Sequence, residues 1–129
     1  MRGRLMHLCL NVADMDRAVA FYCGLLGMTV QADRSGQRPG RRNLFLGYGP
    51  ETTTSLLELC SEADGRTYDK GNAYEHMAIA VDDVTKICAD LAAAGIEIVR
   101  PAKKALSGAQ IAMVRDPDGY LLELIQPAP

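Results

Sequence analysis

The chain has 129 residues, 48% of them apolar, with no Trp and a formal net charge of −2. That length suits a single domain with a core of Leu, Val, Ile, Ala and Met. The charge argues against a nucleic-acid or membrane-surface partner, and no apolar stretch is long enough to span a bilayer. The basic start Met1-Arg2-Gly3-Arg4 is not followed by a signal-peptide apolar region, so a cytoplasmic location is expected. Cys9, Cys23, Cys60 and Cys88 have neither zinc-knuckle nor Cys-x-x-Cys spacing and read as reduced thiols.

Alternation predicts a strand over residues 4–12, with Met6, Leu8, Leu10 and Val12 on one side and His7, Cys9 and Asn11 on the other. Asp14 is placed to cap a helix carrying Met15, Ala18, Val19, Tyr22, Leu25 and Leu26, with Gly27 ending it. A short strand over 28–32 and a polar loop over 33–42 follow. Further strands are expected at 43–47 and 53–60, and residues 61–75 form the connection to the second half. There the order repeats. A strand at 76–81 leads to a helix capped by Asp82 or Asp83 and ended by Gly95. A strand at 96–99, a loop at 101–108 and a strand at 109–115 come next. The turn Asp116-Pro117-Asp118-Gly119 leads to a last strand at 120–126. The fold class is therefore α+β, with paired β-α-β-β-β modules at about 4–60 and 76–126 within one domain spanning 1–129.

The repeat is also visible residue by residue. The two histidines open segments that align without a gap, HLCLNVADMDRAVAFY and HMAIAVDDVTKICADL, matching at Val12/Val81, Asp14/Asp83 and Ala20/Ala89. Each module then carries Leu-Leu-Glu-Leu, at 56–59 and 121–124, so that Glu58 follows His7 by 51 positions and Glu123 follows His76 by 47. A carboxylate set among leucines needs compensation for its charge, which a divalent cation supplies. The candidate ligands are His7, Glu58, His76 and Glu123. Two imidazoles with two carboxylates suit Ni, Co, Zn, Fe or Mn better than Ca or Mg. Cys9 and Cys60 share faces with His7 and Glu58 and read as small walls of the cavity.

With these residues in hand, the chain resembles the vicinal-oxygen-chelate superfamily, and within it the glyoxalase I family. The carrying segments are His7 with VADMDRAVAFYCGLLGM, FLGYGPET at 45–52 followed by LLEL, AYEHMAIAV around His76, and DPDGYLLELI at 116–125. The resemblance implies isomerisation of the methylglyoxal–glutathione hemithioacetal to S-D-lactoylglutathione through a cis-enediolate stabilised by a metal. It implies one divalent metal per chain, held by His7, Glu58, His76 and Glu123. Glu123 is expected to be the main catalytic base and Glu58 its partner carboxylate. His at position 7 and the short chain are similar to the bacterial branch that prefers Ni2+ or Co2+ over Zn2+. That branch is a homodimer with metal sites at the interface, one His–Glu pair coming from each subunit.

The thiol-binding positions depart from the family pattern. Asn11 stands where the family usually has Arg, Glu62 where it usually has Asn, and Glu75 where Gly usually precedes the second His. Glutathione carboxylates want Arg or Lys partners. The candidates to bind substrate are therefore Asn11, Arg41 of the 33–42 loop, and Lys104, with Lys103 and Arg100 as neighbours. The competing readings are an acyl-thioester epimerase, a thiol transferase, a glyoxalase using another small thiol, and a non-catalytic drug-binding protein.

Overall fold

In a computed structural model, residues 2–129 are described, and the chain divides into two compact units, 1–69 and 70–129. Unit one contains β1 (His7–Asn11), a helix, β2 (Thr29–Asp33), β3 (Arg41–Gly47) and β4 (Leu56–Glu62), with sheet order β1-β4-β3-β2. Unit two contains β5 (Met77–Ala80), helix α2 (Val84–Ala93), β6 (Ile98–Lys104), β7 (Gln110–Arg115) and β8 (Leu121–Gln126), ordered β5-β8-β7-β6. In each sheet the first and last strands pair in parallel and the other pairs are antiparallel. The β-α-β-β-β plan is thus present twice.

The matched residues of the repeat have matched structural roles. Asp14 and Asp83 are both N-caps: their carboxylates accept from Arg17 N and Lys86 N at 3.0 and 2.9 Å. Val12 and Val81 both donate their backbone N–H to the neighbouring inner strand, to Cys60 O and Ile125 O, each at 2.8 Å. Gly27 and Gly95 follow the two helices with φ of 75° and 81°, a conformation that glycine adopts without steric cost.

One face of each sheet is the core. In unit one, register aligns Leu10, Leu59 and Leu44 in one row and Leu8, Leu57 and Leu46 in the next; all but Leu8 are buried. In unit two, the row Ile79, Leu124 and Ala112 and the row containing Leu122 and Val114 are buried likewise. This is the apolar side that alternation predicts.

Several boundaries move by one or two residues, β3 for instance starting at Arg41 rather than 43, and three elements differ more. The first helix is α-helical only over Met15–Val19 (α1) and continues as a π-helix over Ala20–Leu25. Its wider turn, closed by Leu26 N to Phe21 O at 3.1 Å, lets the adjacent Phe21 and Tyr22 both be buried, edge to face at 4.8 Å. The strand expected at 53–60 instead runs over Leu56–Glu62, because Thr53 and Thr54 fold back on Pro50 O at 3.0 and 2.9 Å. The expected loop at 101–108 is largely strand: β6 reaches Lys104, and Pro101 is accommodated because β6 is an edge strand with register shifts around Arg100.

Candidate functional site

The second faces of the sheets carry the chemistry. In unit two, the row Ala78–Glu123–Met113–Arg100 crosses the sheet, and His76 lies just before β5. His76 Nε2 and Glu123 Oε2 are 2.7 Å apart, with side chains 31% and 18% exposed. A second carboxylate, Glu75, lies 3.4 Å from His76 Nδ1. The approach to His76 is fixed by Tyr74, whose hydroxyl donates to Leu121 O at 2.8 Å and whose ring packs edge-on against Tyr120. Burial pushes the Tyr74 phenol up to about 12, so it stays a donor at neutral pH.

This pair opens onto a cavity of about 1090 Å³ lined by His76, Glu123, Met113, Arg100, Lys103 and Lys104, among others. Lys104 therefore shares a cavity with the unit-two candidates. By register, Arg100 and Lys103 fall in the rows of Met113 and Ile111 on the Glu123 face, whereas Lys104 pairs with Gln110, one step out of phase.

Unit one arranges its half differently. Register places Cys9, Glu58 and Phe45 in one row, Asn11, Cys60 and Asn43 in the next, and His7 opposite Leu56. His7 Nδ1 is 3.1 Å from Glu51 Oε1, and the His7 ring meets Phe45 edge-on at 5.1 Å. Arg34 braces the same group, 3.6 Å from Glu51 and 4.6 Å over the Phe45 ring. A carboxylate on Nδ1 fixes the imidazole tautomer and leaves Nε2 as the nitrogen able to bind a metal. Glu51 was not singled out from sequence; the only signal was its place in FLGYGPET.

Glu58 lies beside two thiols. Cys9 Sγ and Cys60 Sγ are 3.3 Å apart, and Cys60 Sγ is 3.9 Å from Glu58 Oε2. All four cysteines are free, as expected for reduced thiols. Burial, then the neighbouring Cys60 and Glu58, push the Cys9 thiol up to about 12. Asn11 is the exposed end of its row.

Arg41 is committed to Glu62. Its Nη1 donates to Glu62 Oε1 at 3.0 Å, and Arg38 donates to the same oxygen. The two guanidiniums, Arg38 foremost, hold the Glu62 carboxyl below its usual range. The departure at position 62 is thus neutralised within its own unit. Arg38, Arg41 and Glu62 line a second concavity of about 970 Å³.

The donor chemistry fits a divalent ion: each module presents one imidazole and one half-buried carboxylate on its second sheet face. Among the described residues, no helix is long and apolar enough to cross a membrane.

Comparison with known proteins agrees with the fold. The chain is 42% identical over 125 residues to a lactoylglutathione lyase of Neisseria meningitidis serogroup B, covering 95% of this chain and 90% of the relative. It is 40% identical over 126 residues to a lactoylglutathione lyase of Salmonella typhimurium, covering 95% and 92%. Among solved structures, the trypanothione-dependent glyoxalase I of Leishmania major matches with a TM-score of 0.84 at 36% identity, over 96% of this chain and 86% of that one. Glyoxalase I of Zea mays matches with a TM-score of 0.89 at 37% identity, this chain spanning 98% of itself and 45% of the maize chain. The matching family model covers residues 4–124, and the chain belongs to the Glyoxalase/Bleomycin resistance protein/Dioxygenase superfamily.

Proposed function

We infer that this chain catalyses the glyoxalase I reaction, converting the hemithioacetal of methylglyoxal and glutathione to S-D-lactoylglutathione. Identity near 40% to lactoylglutathione lyases over almost the whole chain supports the reaction. The structural observation that carries it is the His76–Glu123 pair, 2.7 Å apart at the wall of a cavity that also holds Arg100, Lys103 and Lys104.

Family membership and the donor set support a divalent metal, and we propose His7, Glu58, His76 and Glu123 as its ligands. When bound, the ion supplies positive charge at the two vicinal oxygens of the substrate, where negative charge develops. Glu123 takes the C1 proton and returns a proton to C2; Glu58 is the second carboxylate of the site. His7, steadied by Glu51, and His76 hold rather than transfer. The cationic wall of β6 suits the two carboxylates of glutathione, to which Lys104 and its neighbours Arg100 and Lys103 offer charge-assisted hydrogen bonds. In unit one, Asn11 on the second face of the first sheet is the corresponding candidate; Arg41, on the same face, reaches a substrate carboxylate only by giving up its pairing with Glu62.

The finer proposals follow the same reading. Ni2+ or Co2+ is preferred over Zn2+, on the strength of the His7 ligand. The protein acts as a cytoplasmic homodimer with interfacial metal sites; exposed Leu5 and Met6, just before the edge strand of unit one, and Leu8 within it support a covering partner. The test is thioester formation from methylglyoxal and glutathione, with apoprotein reloaded separately with Ni, Co and Zn. Turnover highest with Ni or Co is expected. Bound metal without turnover under any of the three overturns the assignment.

A further inference from the structure

We propose that Cys9, Cys60 and Glu58 form a second metal site, selective for a thiophilic divalent cation such as Cd2+ or Zn2+, and that it competes with the catalytic ion for Glu58. The binding claim rests on unit one alone. The competition claim rests on the function proposed above.

The geometry is that of a tridentate site on one sheet face. The sulfur atoms of Cys9 and Cys60 and a carboxylate oxygen of Glu58 all lie within 4.8 Å of one another. The two sulfurs are 3.3 Å apart. A tetrahedral ion with metal–sulfur bonds of about 2.3 Å spans its two thiolates by roughly 3.8 Å. The pair therefore needs to open by only about half an ångström to grip one ion.

Strand register explains why the three groups meet. Cys9 is opposite Glu58 in β1 and β4, and Cys60 is two residues beyond Glu58 on the same face. Cys60 is 1% exposed and Cys9 reaches solvent, so one thiol anchors the ion while the other gives it an entry path. A buried amide lies beside the thiols. Asn43, 4% exposed, lies in the Cys60 row and places Nδ2 2.9 Å from Cys60 Sγ, while its Oδ1 is buried without a hydrogen-bond partner. Arg41, a cation of the same face, is already committed to Glu62.

Binding is an exchange that balances without a redox partner. Each thiol loses its proton to solvent, two sulfur–metal bonds form, and the Glu58 carboxylate completes three protein ligands. Soft sulfur donors select this class of ion, whereas the His–Glu set suits Ni and Co. An ion held here takes Glu58 from the His–Glu set, so thiophilic metals inhibit although the imidazoles remain free.

The experiment titrates Cd2+ into the reduced protein, metal-free and nickel-loaded, following thiolate-to-cadmium charge-transfer absorption and turnover together. We expect the band to saturate at one ion per chain. Cys9→Ser should weaken cadmium binding at least about tenfold, since even outer-shell partners are worth that. Cys60→Ser serves as a second variant, and a Cys23→Ser/Cys88→Ser double variant should leave the band intact. No band, or a band that survives Cys9→Ser and is lost with Cys23 and Cys88, overturns the site. Turnover of the nickel enzyme should fall as the band grows, and Cys9→Ser should resist at least about tenfold more Cd2+. A saturated band with undiminished turnover overturns the competition for Glu58. A band in a protein that never shows turnover upholds the thiol site and overturns the proposed reaction.

Discussion

In the second module His76 and Glu123 meet directly at 2.7 Å, at the wall of a cavity with a cationic side. In the first, His7 turns its Nδ1 to Glu51, and Glu58 lies against two thiols. The same β-α-β-β-β plan, with the same capping aspartates and the same Leu-Leu-Glu-Leu strand, thus supports two different neighbourhoods. Duplication preserves what holds the backbone in place; the positions two residues along each strand are free to diverge. Ala78 and Ile125 in unit two stand where Cys9 and Cys60 stand in unit one. That substitution of thiols for aliphatic groups is what separates the two carboxylates chemically.

The comparison can be broken most sharply at the carboxylates. Glu123→Gln should lower turnover by about a thousandfold, the range of a positioned general base, with the fold intact by circular dichroism. Near-normal turnover would place the base elsewhere. Glu58→Gln should cost less turnover and lower nickel affinity by about tenfold to a hundredfold, read by equilibrium dialysis. Equal losses in the two variants would mean that the modules contribute symmetrically after all.

Glu51→Gln sharpens the point about His7. It should weaken nickel binding about tenfold while turnover at saturating nickel changes only a few-fold. A large loss at saturation would give Glu51 a more direct part in the reaction.

The smallest expected effect is on acid stability. The folded carboxyl of Glu62 is depressed by Arg38 and then Arg41, below an unfolded value of about 4.3. Its contribution is therefore present above the unfolded value and lost as pH falls through the folded one. Compared with Glu62→Gln by thermal unfolding, the wild type should hold a small advantage at neutral pH that closes in the acid range. A gap independent of pH would mean that the arginine clamp adds nothing through charge.

Much of this was legible in the chain because it depends on local patterning. The cap Asp14, a second cap at Asp82 or Asp83 (Asp83 in the structure), the stops Gly27 and Gly95, the Asp-Pro-Asp-Gly turn and the buried rows of Leu57, Leu59, Leu122 and Leu124 follow from spacing alone. What was not legible depends on partners distant in sequence. Glu51 reaches His7 across 44 positions, and Arg38 and Arg41 neutralise a Glu62 that reads as an obstacle to an anionic substrate when taken alone. The length of β6 was hidden by Pro101, which signals a loop unless the strand is known to lie at an edge. The π-helical turn was hidden because adjacent Phe21 and Tyr22 fit no single stripe of an α-helix.

The central claim is that two His–Glu pairs, and not the thiols, hold the catalytic ion. X-ray absorption at the nickel edge of the nickel-loaded protein tests it most directly. The account predicts a shell of nitrogen and oxygen only, with scattering from two imidazoles. A sulfur neighbour at nickel, or a single imidazole, would contradict it.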